Sequence, residues 1–530
     1  MVRLCLVMLS LSSAPAAAQA ADWPQWRGPD RDGHADGEIA LPGTWPKAGP
    51  LKLWTSEKVL SAGWGGYGSA VVADGRVYVY CNWKTRVPFE ERTLTADGLR
   101  RLGHHAEKPP ADLVKTIEQA RLSPERKDLT RNQVKDWVAK WIETHLKDEA
   151  TRKKFGGFAS DRLRRGDKAM DLGVLDKLST IADKEFPDQA AFDKWFTQQG
   201  LDAEVRKAVM RHVRTYRDEG KDVVFCFNAD DGTTAWKHEE AGKAHGRGLS
   251  CTPCVAGGRC YVIGSTGKLY CLDAGKGDLL WQADAHAVHS SPVVADGKVV
   301  ALAGKLRAWN VADGQLAWEQ PKVGGGEGSP IVWRHGERAC VIVHHGKVAC
   351  ADLADGKLLW TAPGGGGSTP AAAGDRLIVA TNNKKLGLVA YTISPEKAEQ
   401  AWALPEFGER YASPILRDGH VYVVSGGKAA CVALDAGKVL WTEKVGSARC
   451  SSPAMVGDVL VAALAKGRVA VIQASPKAPR VVGKAPLGVT DFTSPAVAGG
   501  RLYVREKEAV ACYDLTRPAA PPEAKPAAAN

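Results

Sequence analysis

The chain has 530 residues, of which 44% are hydrophobic and 25% are charged, and its formal net charge is +11. This composition excludes a disordered or fibrous chain and leaves room for a large core, in several domains or in one array of repeats. Glycine (56 residues) and tryptophan (17 residues) are both frequent, which indicates many tight turns with a bulky side chain packed beside each of them.

Residues 1–20 are predicted to form a secretory signal peptide. Arg3 supplies a positive charge, the short apolar run LCLVMLSL follows, and the small-residue sequence AQA ends at residue 20. The apolar run is too short to cross a bilayer, and no later segment is long enough to do so. The sequence therefore predicts an exported, periplasmic or extracellular protein that is soluble after signal cleavage and not transmembrane.

Residues 21–84 are predicted to hold an N-terminal lead-in, one isolated strand and the start of a first repeat. The lead-in contains the motif WPQWRGPDRDG, and the isolated strand is LKLWTSE around Trp54. The repeat begins with the pair Ser69-Ala70 and continues with the strand RVYVYCNW.

Residues 85–220 differ from the rest of the chain, since they are rich in charged residues, poor in glycine and patterned as helices. In the clearest helix, NQVKDWVAKWIETHL, the apolar residues fall on one face. They are Val134, Trp137, Val138, Trp141 and Ile142. Further helices are predicted at residues 170–182, 189–198 and 203–216. This segment interrupts the first repeat before the strand DVVFCFNA, and we interpret it as an α-helical insertion that is either a decoration or a lid or docking module.

A repeat of about 40 residues fills residues 221–516. One landmark is a Ser/Thr-Pro pair, and the other is a tryptophan, in most copies four residues after a glycine. Between them, alternating apolar residues and Asp-Gly or Gly-Lys turns give the pattern of antiparallel hairpins. This combination is typical of four-stranded propeller blades. The Ser/Thr-Pro pairs begin at Thr252, Ser291, Ser329, Thr369, Ser413, Ser452 and Ser494, and the tryptophans are Trp236, Trp281, Trp318, Trp360, Trp402 and Trp441.

With the degenerate pair Ser69-Ala70, the landmarks count eight blades. The eighth copy lacks its tryptophan strand, and pairing it with the strand around Trp54 closes the ring and removes two exposed edges. The sequence thus predicts an all-β fold, an eight-bladed β-propeller of four-stranded blades closed by the N-terminal strand, with the α-helical insertion in blade one. Residues 517–530 are rich in proline and alanine and are predicted to be a disordered tail.

The repeat resembles that of the PQQ-like repeat β-propellers, a family that includes quinoprotein dehydrogenases and a propeller of outer-membrane protein assembly. The matching pattern is A-x-D/N-x-x-x-G-x-x-x-W, carried for example by Ala308, Asn310, Gly314 and Trp318. The motif WPQWRGPDRDG also looks like the lead-in of exported members. The resemblance implies a propeller fold, but it covers proteins that catalyse and proteins that only bind.

The resemblance leaves two functions open. The first is a non-catalytic binding or scaffolding module in the cell envelope, without a cofactor. The alternative is a PQQ-dependent oxidoreductase, for which the resemblance implies bound PQQ, a calcium ion and often an adjacent cysteine pair. The chain has no Cys-Cys dipeptide, no acidic and amide set that maps onto the family's calcium ligands, and no G-x-S-x-G motif. The prediction is therefore the non-catalytic module, with no catalytic residues and no metal site.

The pI near 9.0 is by itself compatible with nucleic-acid binding. Export argues against that partner, and the basic residues are dispersed among acidic ones as on a solvated surface. The predicted partner is a cell-envelope protein or an anionic envelope component, and not a nucleic acid. The oligomeric state does not follow from the sequence.

The predicted binding site is the mouth of the channel beside the Ser/Thr-Pro landmarks. The residue three positions before each landmark proline varies between copies, whereas shape-setting positions recur. The alternative is that these residues only fill or hydrate the channel. Because strands in a blade alternate in direction, the insertion is predicted on the same face as this mouth. The predicted ligand- or partner-binding residues are Trp64, Tyr67, His245, Arg247, His289, Glu327, Arg410, Tyr411, Arg449 and Asp491.

Five cysteines occupy the position that Ala308 has in its copy and are predicted to be small, buried packing residues. The motif CTPC at residues 251–254 coincides with a landmark, and we interpret it as a product of the repeat rather than as a redox or haem motif. A turn at Ser265-Thr266 would place Cys260 opposite Cys271, and a disulfide between them is a hypothesis. The five cysteines are Cys226, Cys271, Cys350, Cys431 and Cys512.

Overall fold

The computed structural model describes residues 22–519, except residues 36, 38, 287 and 449. The signal peptide that the sequence predicts therefore lies outside the described residues, as do Arg449 and nearly all of the predicted tail. The described residues form two compact units, one made of those up to Thr85 and from Glu219 onward, and one made of Arg86–Asp218. We call them the sheet unit and the helical unit.

The sheet unit carries eight mainly antiparallel sheets within its described residues, most of them four-stranded. Sheets 1 to 4 consist of Val71–Ala73, Arg76–Leu94, Val213–Asn228 and Thr234–Gly242 (sheet 1); Cys254–Ala256, Arg259–Ile263, Lys268–Asp273 and Leu279–Asp284 (sheet 2); Val293–Ala295, Lys298–Asn310 and Leu316–Gly325 (sheet 3); and Ile331–His335, Arg338–His345, Lys347–Asp352 and Leu358–Pro363 (sheet 4). Sheets 5 to 8 consist of Ala371–Ala373, Arg376–Ala380, Leu388–Ile393 and Ala398–Leu404 (sheet 5); Ile415–Arg417, His420–Ser425, Lys428–Ala433 and Val439–Lys444 (sheet 6); Ala454–Val456, Val459–Leu464, Gly467–Ala474 and Pro479–Val489 (sheet 7); and Ala496–Ala498, Arg501–Arg505, Val510–Pro518 and the N-terminal Pro50–Thr55 (sheet 8).

The hydroxyls of the Ser/Thr-Pro landmarks connect neighbouring sheets. At each step but one, the backbone N–H of a landmark residue donates to the side-chain oxygen of the next landmark, from Ser69 to Thr252 at 2.9 Å and so on in chain order. The last bond returns from the Ser494 N–H to Ser69 Oγ at 3.0 Å. Because the order closes on itself, the first strands of the eight sheets surround a common centre.

The tryptophan landmark of one sheet packs on the glycine landmark of the next sheet. The Trp318 indole N–H donates to Leu353 O at 3.0 Å, and a Cβ on Gly356 would lie 2.4 Å from the Trp318 ring. Gly356 also has a φ of 73°, a conformation that residues with a Cβ adopt only at a cost. The recurring sequence therefore encodes the seam between successive sheets. The same contact joins Trp54 to Gly232, Trp236 to Gly277, Trp281 to Gly314 and Trp402 to Gly437.

The N-terminal strand Pro50–Thr55 pairs antiparallel with Val510–Pro518, so that Trp54 lies beside Cys512. This strand is the fourth of sheet 8. Arg517 and Pro518 belong to the partner strand rather than to the tail in which the sequence places them.

Residues 22–35, which precede that strand in the chain, form an N-terminal plug inside the circle of sheets. Trp23 exchanges two backbone hydrogen bonds with Val72 of sheet 1, both at 2.8 Å. Further bonds connect the plug to sheets 2, 3, 5, 6 and 7, through Val255, Pro292, Thr369, Pro414 and Met455. The strand His34–Ala35 runs parallel to Ala454–Val456. The plug closes the centre of the circle.

The predicted Gly-Lys turn of sheet 3 lies inside the element Lys298–Asn310. Gly304 has a φ of 72°, and the Val311 N–H donates to Gly297 O at 2.9 Å, so the second and third strands fold back on each other as predicted. One local prediction is wrong. In sheet 2, Cys260 pairs with Leu272 and Cys271 with Tyr261, because the connection extends from Gly264 to Gly267. A shift of one residue places the two thiols on opposite faces, and both are free, so the disulfide hypothesis is wrong.

The five cysteines at the Ala308 position are all fully buried, which confirms their packing role. Cys251 and Cys254 of the CTPC motif are also buried and free. Burial raises the pKa of Cys251 to about 12 and that of Cys254 to about 11. Neither thiol is therefore a ready nucleophile at neutral pH.

The helical unit contains eight α-helices within its described residues, with apolar faces packed into two clusters. Val138 and Trp141 of the predicted amphipathic face are buried, while Val134, Trp137 and Ile142 are partly buried against the same cluster. The predicted helix 203–216 ends at Met210, because the chain enters the strand Val213–Asn228 instead. The helices are Ala96–Leu102, Ala111–Leu122, Pro124–Lys127, Arg131–His145, Glu149–Arg165, Leu172–Ser179, Gln189–Gln198 and Ala203–Met210.

Candidate functional site

The landmark loops of the sheet unit surround a cavity of about 310 Å³, which we call the cup. All eight non-repeating residues that precede the landmark prolines line it. Trp26 of the plug also lines it, and its indole N–H donates to Thr369 Oγ1 at 2.8 Å. The cup is lined by Trp26, Tyr67, Arg247, Gly248, Ser250, His289, Ser291, Glu327, Ser329, Gly367, Thr369, Tyr411, Cys450 and Phe492.

The structure places five of the ten predicted site residues in the lining of the cup, namely Tyr67, Arg247, His289, Glu327 and Tyr411. Arg410 is not among the lining residues but stands over the ring of Tyr411. Trp64 (43% exposed), His245 and Asp491 are not among the lining residues; the His245 ring bonds to Ser265 O at 2.7 Å instead. Arg449 lies outside the described residues.

Glu327 is the centre of a charged cluster on one wall. Its carboxylate accepts hydrogen bonds from the Arg247 guanidinium and from the Tyr411 hydroxyl at 2.9 Å. Arg410 Nη2 lies 4.0 Å from the same carboxylate, and its guanidinium stands 5.0 Å from the centre of the Tyr411 ring. Burial alone would raise the pKa of Glu327, but the hydrogen bonds from Arg247 and Tyr411 outweigh it and the pKa is lowered. Glu327 is therefore ionised at neutral pH and fixes this wall.

His289 lies next to Ser250 but is a poor general base. Its Nε2 accepts the Arg247 Nε–H at 3.3 Å, so in the neutral ring the hydrogen resides on Nδ1, which faces Ser250 Oγ at 3.3 Å. Burial, followed by the charge of Arg247, lowers the pKa of His289 to about 4. The ring cannot take a proton from Ser250 in this arrangement. The pair is suited to ligand contact rather than to nucleophilic catalysis.

The opposite wall is aromatic. Tyr67 and Phe492 pack with ring centroids 5.1 Å apart. Phe492 and Cys450 have positive φ values, 74° and 68°, in a region that is costly for residues with a Cβ. Such strain persists where the surrounding structure imposes it, and it concentrates at functional sites.

Sequence reasoning misses Trp26 and the landmark hydroxyls Ser291, Ser329 and Thr369. The hydroxyls recur in every copy, so their repetition hides their second role as cup lining. Trp26 is missed for the opposite reason, because it belongs to no repeat and has no equivalent in other copies with which it could be compared. A signal for it is present: the lead-in motif has two tryptophans and two arginines within nine residues, which is more bulk than an unstructured linker requires.

A family model described as "Outer membrane protein assembly factor BamB" matches residues 220–364 and 344–528. Together these matches cover more than half of the chain. The chain belongs to this family. The PQQ-like repeat propeller family and the all-β fold that the sequence predicts are thereby confirmed.

Relatives within and around the family differ in function. An outer membrane protein assembly factor BamB of Moranella endobia is 27% identical over 226 residues, which are 37% of this chain and 57% of that protein. A quinohemoprotein alcohol dehydrogenase ADH-IIG of Pseudomonas putida is 29% identical over 117 residues, which are 18% of this chain and 16% of that protein. The crystal structure of BamB from Moraxella catarrhalis is similar to 55% of this chain and 88% of its own, with a TM-score of 0.45 and 16% identity. The chain thus spans little more than half of the first relative.

The calcium ion that the resemblance to quinoproteins implies does not fit the residues of the cup. Glu327 is the one carboxylate among the lining residues, and Arg247 and Tyr411 already bind it. Nowhere in residues 22–519, apart from the four undescribed positions, do three or more His, Cys, Asp or Glu side chains cluster as metal ligands. Among the same residues, no helix has the length and apolarity needed to cross a membrane.

His344 fixes the loop that carries Gly367 and Thr369 into the cup. Its Nε2 accepts the Gly365 N–H at 3.0 Å, and its Nδ1 lies 3.2 Å from Ser368 O, so the ring is neutral with its hydrogen on Nδ1. Burial, chiefly, lowers the pKa of His344 from 6.5 to about 4. Protonation would remove the acceptor for Gly365.

We expect acid to destabilise the sheet unit through His344. Between pH 6.5 and 4 the unfolded chain binds a proton that folded His344 does not, so stability is lost as the pH falls, on the order of 3 kcal/mol for a complete shift. Urea unfolding at pH 7, 5 and 4 measures this loss. His344→Gln should be less stable at pH 7 but less sensitive to acid, while exposed His335→Gln in the same sheet should behave like the unmodified chain. Equal pH dependence in both variants would contradict the assignment.

Proposed function

We propose that this member of the family is an exported, non-catalytic binding module, an eight-bladed propeller in which the eight sheets are the blades and residues 86–218 are the insertion of blade one. Its binding site is the cup, and its partner is another protein of the cell envelope. The description of the family and the name of the Moranella relative support an assembly or scaffolding role. The one observation that carries the proposal is that eight non-repeating residues line a cup closed from below by Trp26.

The shape of the cup favours one side chain of a partner. Its volume of about 310 Å³ lies at the lower end of small-molecule sites, about 300–1,000 Å³. Tyr67, Phe492 and Trp26 offer ring faces, whereas Arg247 and Glu327 satisfy each other. Aromatic walls with an internally paired charge suit an apolar or aromatic side chain that enters from a protein segment.

The chemistry of the polar wall argues against catalysis by this chain's own residues. His289 is held neutral with its hydrogen directed at Ser250, so it does not activate the Ser250 hydroxyl as a nucleophile. Glu327 is engaged by Arg247 and Tyr411 and is not available as a general base. We therefore keep the non-catalytic function and propose that no metal or quinone takes part.

A titration with short peptides tests the proposal. The peptides have the sequence Gly-Ser-Gly-X-Gly-Ser-Gly, where X is Trp, Phe, Leu, Lys or Glu. Their binding to the protein is measured by calorimetry at peptide concentrations up to the millimolar range. We expect the Trp and Phe peptides to bind at least ten-fold more tightly than the Lys and Glu peptides, because burial of an aromatic ring supplies the affinity. Phe492→Ser should reduce this binding about ten-fold.

The matched control is Leu316→Ser, which removes an apolar side chain that is 53% exposed on sheet 3 and does not line the cup. It should bind the peptides as the unmodified protein does. Equal affinity for Trp and Lys peptides, or a Phe492→Ser variant with undiminished binding, would contradict the role of the cup.

The oxidoreductase alternative has its own test. The purified protein is supplied with PQQ and calcium, and reduction of an acceptor dye is followed with alcohols and sugars. We expect no quinone-dependent reduction. A reproducible rate that depends on PQQ would replace the proposed function by the enzymatic one.

A further inference from the structure

We infer that a single small anion, chloride-sized, binds at the centre of the circle of sheets, between Trp26 and the landmark serines of sheets 1, 7 and 8. This site is separate from the cup, because Trp26 lies between the two. It is independent of the partner proposed for the cup.

The first observation is a buried positive charge. Arg27 and Arg31 of the plug are 2% and 1% exposed, and within the described residues neither forms an ion pair with a carboxylate. They bind uncharged oxygens instead: Arg27 donates to the carbonyls of Arg31, Asp32 and Pro414, and Arg31 donates to the carbonyls of Ser291 and Pro292 and to Gln25 Oε1. Burial lowers the pKa of both to about 10, with the Asp32 charge opposing it for Arg27. Both remain cations at neutral pH.

The second observation is an unsatisfied donor at a small cavity. Arg27 Nη1 is buried and has no hydrogen-bond partner among the described residues. Arg27 lines a cavity of about 10 Å³ together with Trp23, Trp26 and the serines Ser69, Ser452 and Ser494. That volume is about what one water-sized particle needs.

The third observation concerns the hydrogens of those serines. Ser69 Oγ accepts the Ser494 N–H at 3.0 Å, Ser452 Oγ accepts the Ser413 N–H at 3.0 Å, and Ser494 Oγ accepts the Ser452 N–H at 2.9 Å. Each oxygen is thus already an acceptor, and none of the three hydroxyls donates to another described residue. The three O–H groups and the Arg27 N–H together supply four donors around one small space.

An anion satisfies this arrangement better than a water molecule. Water must place two hydrogens of its own, whereas a halide accepts every donor and brings a negative charge to the cavity that the buried Arg27 guanidinium lines. The flexible walls, one guanidinium and three hydroxyls, can adjust by small rotations to an ion larger than water. The anion thereby stabilises docking of the plug.

The dependence of folding on chloride tests this site. The folding equilibrium constant of the full chain is measured by urea unfolding at constant ionic strength, with sodium chloride replaced stepwise by sodium gluconate, whose anion is too large to enter. If one chloride binds only the folded state, the folding equilibrium constant rises ten-fold for each ten-fold rise in chloride concentration, once that concentration is well above the dissociation constant of the site. Arg27→Met should abolish this dependence, whereas Arg334→Met, which removes an exposed ion pair with Asp296, should retain it.

A crystallographic measurement keeps the inference testable if Arg27→Met does not fold. Crystals of the unmodified protein prepared in sodium bromide should give one anomalous peak beside Arg27 Nη1 and the three serines. A water molecule in that position with no anomalous signal, or a folding constant that does not respond to chloride, would overturn the inference.

Discussion

Gly356→Ala is expected to lower the free energy of unfolding by about 3 kcal/mol, whereas Gly336→Ala lowers it by only about 1 kcal/mol. Both glycines have positive φ, 73° and 58°, so the backbone cost is similar. They differ in surroundings: a Cβ on Gly356 would lie 2.4 Å from Trp318 Cε3, while nothing lies within 4 Å of one on Gly336. Trp318 cannot retreat, because it is buried and its N–H is bound to Leu353 O.

Urea unfolding of the two variants measures the difference, and near-ultraviolet circular dichroism reports whether the Trp318 environment changes in Gly356→Ala alone. Gly336 is the suitable control, since it belongs to a turn of the same sheet. If both variants lose the same stability, the seam between sheets 3 and 4 does not depend on the contact of tryptophan with glycine.

This seam shows which part of the fold a sequence can reveal. Trp318 and Gly356 are visible as landmarks, because the geometry of each copy demands a turn with positive φ and a bulky neighbour. Their pairing is not visible, since tryptophan packs on the glycine of the following copy rather than on that of its own. The repeat pattern therefore identifies the structural unit, whereas the contact between the tryptophan of one copy and the glycine of the next is known only from the packing in the structure.

Cys260 and Cys271 show a second limit. Alternation of apolar residues identifies both strands of sheet 2, yet the register depends on the connection between them. Gly264 N–H bonds to Lys268 O, which shifts the pairing by one residue and moves one thiol to the other face. Turn geometry of this kind is decided by glycines that accept several conformations.

The sequence predicts several of the residues that line the sides of the cup, but not Trp26, which closes it from below. Tyr67, His289 and Glu327 stand out in the sequence because they vary where other positions recur. Trp64 and His245 are close to lining residues in sequence, but local turns direct them elsewhere. Trp26 has no periodic context, because it belongs to no repeat and lies outside the two paired parts of the plug, Trp23 with Val72 and His34–Ala35 with Ala454–Val456.

Arg505→Met is expected to be the most damaging single substitution at the seam between sheets 8 and 1, with a loss of about 4 kcal/mol or more of unfolding free energy. Arg505 is 1% exposed, and its guanidinium donates five hydrogen bonds. It reaches Ser61 Oγ at 2.8 Å and four carbonyls, those of Leu60 at 2.6 Å, Gly65 at 3.0 Å, Gly68 at 2.9 Å and Tyr80 at 2.9 Å. Methionine removes all five hydrogen bonds at a buried position, although Leu60 O keeps the Cys81 thiol and Gly65 O keeps the Asn82 N–H as donors.

Arg501→Met provides the matched control, because Arg501 belongs to the same strand but forms an ion pair with Asp230 that is largely exposed. We expect it to cost about 1 kcal/mol or less. Arg505→Lys should lie between the two, since an ammonium group keeps the charge but supplies three donors without the planar fork. Urea unfolding ranks the three variants.

Because Gly65 and Gly68 flank Tyr67, Arg505→Met should also weaken binding of the Trp peptide to the cup, whereas Arg501→Met should not. Equal losses of stability in the Met variants would show that the seam does not depend on this guanidinium.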